Sequence, residues 1–80
     1  MQDLTQQYEG LARSISMACG ELLREWEITS QGRPPCLVLY FRVKVKADYF
    51  AQLRVVCRDE LPGCVVRSLH AARTVEVTAR

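Results

Sequence analysis

ADYFAQLRVVCRDELPG, residues 47–63, is the stretch on which the architecture turns, because it satisfies two periods at once. As a helix it is capped by Asp48 and buries Tyr49, Phe50, Leu53, Val56, Cys57 and Leu61 on one side. Gln52, Arg54, Arg58 and Asp59 then fall on the other side, and Pro62-Gly63 stops it. As a strand it places Tyr49, Ala51, Leu53, Val55 and Cys57 on one face and turns back, through three residues, onto the segment before it. The helix misplaces only Val55, whereas the strand sets Arg42 opposite Arg54, a like-charge pair that costs stability. A helix over 48–61 is the preferred reading, and the strand stays open beside it.

Upstream lies CLVLYFRVKVK, residues 36–46, in which Leu37, Leu39, Phe41, Val43 and Val45 alternate with the rest. The part holding Val38 and Tyr40 is apolar on both faces, as in a strand interior to a sheet. At the other end Arg42, Lys44 and Lys46 would line the wetted face, continuing the strand as a row of three cations. Downstream, CVVRSLHAARTVEVTAR divides into two short strands around Cys64–Leu69 and Thr74–Ala79, joined by His70–Arg73. Val75 and Val77 should face inward, and Thr74, Glu76 and Thr78 outward.

At the other end of the chain, Leu4, Tyr8, Leu11, Ile15, Ala18, Leu22 and Trp26 recur at three- and four-residue spacings, which predicts one amphipathic helix over residues 1–28. Gly10 and Gly20 weaken it by about 1 kcal/mol each relative to alanine. At about 1.5 Å per residue, such a helix outruns the core of a domain this small, leaving part of it for a second molecule. Residues 29–35, TSQGRPP, read as a polar loop in which Gly32 permits a positive φ and Pro34-Pro35 forbid more helix. The expected fold is α+β in a single domain over 1–80: a long N-terminal helix on a small, mainly antiparallel sheet of three or four strands in 36–80, with a second helix at 48–61.

Composition bounds the function. Eighty residues, 49% hydrophobic and 25% charged, make an ordinary globular chain near the size at which one core becomes marginal. Net charge is +2, yet residues 1–35 carry three Arg against five acids and residues 36–80 eight Lys or Arg against four. The basic half suits an acidic partner, and falls short of a dedicated nucleic-acid arm. No apolar run nears the roughly 20 residues of a bilayer span, so no membrane is expected, and Met1-Gln2-Asp3 begins no signal segment. Cys19, Cys36, Cys57 and Cys64 show no paired zinc spacing beside the single His70, so buried thiols in a reducing cytoplasm are expected, with no metal or cofactor.

His70 has no local signature that would join it to a thiol nucleophile, and the acidic pairs Glu25/Glu27 and Asp59-Glu60 lie in solvated contexts rather than in an apolar pocket. Catalysis is not expected. The expected partner-binding set is Tyr40, Arg42, Lys44, Lys46, Arg54, Arg58 and Arg67. It would meet an acidic protein surface as an inhibitor, adaptor or assembly factor, a format similar to that of short phage- and mobile-element proteins that occupy a larger machine. The alternative is nucleic acid, held by the same cations with Arg73 at the turn and Tyr40 as a stacking platform. Tyr8, Leu11, Ile15, Leu22 and Trp26 form either a core seam or the seam of a homodimer through the N-terminal helix.

Overall fold

A computed structural model describes residues 3–30, 34–69, 71 and 73–79. The chain is α+β, with the order α1 (Leu4–Cys19), a 3-10 turn (Gly20–Leu22), β1 (Leu23–Thr29), β2 (Cys36–Phe41), α2 (Ala47–Glu60), β3 (Val65–Leu69) and β4 (Thr74–Thr78). The four strands form one sheet in the order β1-β2-β4-β3, antiparallel at each junction. No helix among the described residues is long and apolar enough to cross a membrane.

Helix α1 begins where the Asp3 carboxylate accepts the Gln6 amide at 2.8 Å, satisfying one of the amides a helix start leaves unpaired. Its stripe of Tyr8, Leu11, Ala12, Ile15 and Cys19 is buried. The helix stops far short of residue 28. Gly20 takes φ 58° and ψ −129°, a conformation that L side chains rarely adopt, and its N–H caps the Ser16 carbonyl. After one 3-10 turn the chain is extended. The predicted helix over 1–28 is thereby corrected: Leu23–Thr29 is an edge strand on which Trp26 and Ile28 lean on the core while Glu25 and Glu27 are exposed. The surplus helix length expected to reach a second molecule does not exist.

Strand β2 is interior to the sheet, as its two apolar faces require. Leu37, Leu39 and Phe41 point into the core with Val75 and Val77 of β4, while Val38 and Tyr40 lie on the opposite face. The strand ends at Phe41, so Arg42, Lys44 and Lys46 do not continue it as an alternating row. Residues 42–46 form an irregular connection in which Val45 is buried and Val43 is exposed.

Residues 47–63 take the helical reading. Leu53, Cys57 and Leu61 are buried, Tyr49, Phe50 and Val56 pack partly against the core, and Val55 is 68% exposed. The cap differs from expectation: Lys46 precedes the first turn without a side-chain bond, and Asp48 sits inside that turn, accepting the Tyr49 amide at 2.9 Å. Beyond Leu61, Gly63 at φ 81° turns the chain into β3. Val75 and Val77 are fully buried, as expected.

Both helices contribute to one continuous core with the inner face of the sheet, and α1 touches β1, β2 and α2. The hydroxyl of Tyr8, itself fully buried, donates to the Pro35 carbonyl at 2.7 Å and accepts the Ala79 amide at 2.8 Å. One side chain of α1 thus closes the polar backbone at the start of β2 and the end of β4. The Tyr8→Phe variant keeps the ring and leaves both backbone groups unpaired, so it should lower stability by about 1–3 kcal/mol. Urea unfolding should show a lower midpoint at unchanged slope; an unchanged midpoint would mean that the hydroxyl does not hold these ends.

Candidate functional site

Three irregular pieces of backbone meet at the end of the sheet where β2 stops. Phe41 donates its amide to the Arg73 carbonyl at 2.9 Å, and Arg42 donates its own to the Leu22 carbonyl at 2.8 Å. These bonds tie the connection 42–46 to the turn before β4 on one side and to the 3-10 turn before β1 on the other. Beside these three pieces lies a bulge: Leu23 pairs with Phe41 and Glu25 with Tyr40, which leaves Arg24 as the extra residue.

A bulge re-aims a side chain, and here it lays Arg24 over Tyr40, with its guanidinium carbon 5.7 Å from the ring centroid. Arg24 Nη2 also donates to Glu25 Oε1 at 3.0 Å. The Tyr40 hydroxyl donates to the Glu27 carboxylate; that bond, more than burial, pushes the phenol's pKa above its ordinary value. Arg42 is held from two directions, since its Nε donates to the Glu21 carbonyl at 3.0 Å while its backbone is fixed to Leu22. With Arg73 and Thr74, these residues line a cleft of about 280 Å³.

Phe41 also borders a second cleft, of about 290 Å³, lined by Leu22, Val43, Val45 and Tyr49 with Lys44, Lys46 and Asp48. Leu22 is 41% exposed and Val43 47%, large apolar side chains at the rim of a basic surface. Two clefts, one guanidinium-lined and one largely apolar, therefore share a wall.

The sequence-predicted partner set does not form a single surface. Tyr40 and Arg42 enter the first cleft, while Lys44 and Lys46 enter the second. Arg54 and Arg58 are exposed on α2, outside both clefts, and Arg54 lies 5.8 Å over the Phe50 ring. Arg67 is on the edge strand β3, 4.0 Å from Glu76, two strands away from Tyr40. Tyr40 is a poor free platform for a base because Arg24 already covers its ring. Arg24 went unassigned from sequence, as its role depends on the bulge, and Arg73 was placed only at a turn.

Of the predicted seam, Tyr8, Leu11 and Ile15 are wholly inside the core, where a second copy cannot meet them. Leu22 lines the second cleft and Trp26 is half-buried on β1. His70 lies outside the described residues. Cys19, Cys57 and Cys64 are buried thiols outside any disulfide, and Cys36 is half-buried. Among the described residues no group of three or more His, Cys, Asp or Glu comes together in a form that could hold a metal ion.

Burial favours the neutral forms of Cys57, Cys64 and Tyr49. Burial pushes the Cys57 pKa up to about 12, and it raises that of Cys64 against a partial opposing pull from Arg58. Tyr49 reaches about 12 as well, through burial first and then through its hydroxyl bond to Cys19 Sγ at 2.7 Å, which links α2 to α1. No family model, curated protein or solved structure matches the chain.

A raised pKa in the fold means that the proton stabilises it: the contribution is whole below the unfolded values of 9.0 for Cys57 and 10.0 for Tyr49, and fades as pH climbs toward about 12. The urea midpoint should consequently fall steadily between about pH 9 and 11. In Cys57→Val, which cannot ionise there, the decline should be shallower; identical slopes would remove Cys57 as a source of alkaline lability.

Proposed function

We propose that this chain is a non-enzymatic binding module that docks the basic end of its sheet onto an acidic segment of a larger protein, as an inhibitor, adaptor or assembly factor. The observation that carries this reading is the shared wall of the two clefts. Arg24, Arg42 and Arg73 stand on one side of Phe41, and Lys44 and Lys46 flank the exposed Leu22 and Val43 on the other. Cations steer an acidic partner and fix its register, and an apolar recess beside them supplies the desolvated anchor that charge alone does not. The buried, unoxidised thiols of Cys19, Cys57 and Cys64 support work in a reducing cytoplasm.

Nucleic acid is the second reading, favoured by three guanidiniums in one cleft and opposed by the covered Tyr40 ring. Display selection of random peptides on the immobilised protein separates the two. Selected peptides should combine Asp or Glu with an apolar residue, and Arg42→Glu/Lys44→Glu should weaken them about tenfold or more, whereas Arg54→Glu leaves them within about twofold. In parallel, labelled single-stranded and duplex oligonucleotides are titrated by anisotropy at about 50 and 200 mM salt. Tight, steeply salt-dependent oligonucleotide binding without any acidic peptide selected would replace the protein reading with the nucleic-acid one.

A further inference from the structure

The two clefts differ in the anion they suit. The ion pairs among the described residues are Arg24–Glu25 and Arg67–Glu76, so Arg42 and Arg73 line the first cleft without a carboxylate within 4.0 Å. The lining carries three guanidiniums and, among the described residues, no carboxylate: Glu25, bonded to Arg24, and Glu27, bonded to the Tyr40 hydroxyl, lie outside it. One carboxylate of a partner brings a single charge and two acceptor oxygens to three guanidiniums. A phosphate monoester brings about −1.5 to −2 charges at neutral pH and three acceptor oxygens, one for each.

The guanidiniums are also mounted for such a group. Arg42, anchored through Nε and its backbone amide, keeps its two Nη groups for a ligand. Arg24 is set by the bulge and by the ring beneath it, and the Arg73 backbone is fixed by the Phe41 amide. Positions held before binding lower the ordering cost of capture. At about 280 Å³ the cleft has room for the phosphoryl group of an esterified side chain, and the apolar cleft that shares its Phe41 wall has room for a neighbouring residue.

Building on the protein-binding reading, we propose that the Arg24–Arg42–Arg73 cleft is a subsite for a phosphorylated side chain of the partner, whose neighbouring apolar residue enters the Leu22–Val43 cleft. The test is calorimetric titration of the protein with degenerate peptide pools fixed at phosphoserine, phosphothreonine, phosphotyrosine or glutamate, beside inorganic phosphate. At least one phosphopeptide pool should bind about tenfold tighter than the glutamate pool and than inorganic phosphate. Arg42→Gln/Arg73→Gln should erase that preference, and Arg54→Gln, an exposed cation outside the cleft, should keep it. Thermal melts of the variants establish that they fold.

Equal binding of the glutamate and phosphopeptide pools would overturn the phosphate assignment and leave protein binding standing. Inorganic phosphate as strong as every phosphopeptide would overturn the side-chain source. Failure of all these pools together with an empty display selection would sink the protein reading too.

Discussion

The fold hangs on a phenol. Among the described residues Tyr8 is the one side chain of α1 bonded to backbone at the sheet's end, and it bonds at Pro35 and Ala79, beside two strands that are neighbours in space and far apart in sequence. An enclosed hydroxyl with both of its roles filled, one donated and one accepted bond, fixes the helix along its own axis in a way that Leu11 and Ile15 cannot, since apolar contact tolerates sliding. It also settles the two backbone groups just outside the β2–β4 ladder, which would otherwise be desolvated without partners. Burial pushes the phenol's pKa up, against the pull of the Ala79 amide, so the neutral form that can donate is the one the site favours.

With that end secured, the opposite end of β2 is left to irregular backbone. Tyr8 closes the ladder at Cys36–Thr78, and the bulge, the connection 42–46 and the turn before β4 gather where the ladder runs out at Phe41. The division has a physical reason. Regular pairing fixes every amide in a repeating pattern and alternates side chains between two faces, so it brings few unlike groups to one point. A bulge and two tight connections break the alternation, and that is what converges Arg24, Arg42 and Arg73 from separate segments.

Much of this was legible in the sequence, and the misses have identifiable causes. The two apolar faces of Leu37–Phe41 told correctly of an interior strand, and the stripe ending at Pro62-Gly63 of a second helix. Residues 22–28 failed because Leu22 and Trp26 continue a helical spacing while Trp26 and Ile28, with Glu25 and Glu27 between and before them, satisfy a period of two. Gly20 was the arbiter: weighed only as a propensity cost, it is in fact the stop, because the positive φ it takes there ends the helix. The alternation of Arg42, Lys44 and Lys46 was real in the sequence but had no neighbour to pair with once Arg42 turned to the Leu22 carbonyl.

The cations show the same limit from the other side. A sequence displays how many there are and not which of them share a recess. Arg67 fits a strand's outward position and is spent on Glu76; Arg54 fits a helix's exposed face and lies over Phe50. Arg24 sits in the acidic half of the chain, between Leu23 and Glu25, where net charge gives no reason to choose it. Its place in the cleft comes from a register shift of a single residue between Leu23 and Glu25, a feature fixed by the pairing of β1 with β2 and by nothing local. The basic character of the site is therefore a property of strand register rather than of composition, and it would be lost if the bulge closed even with every arginine retained.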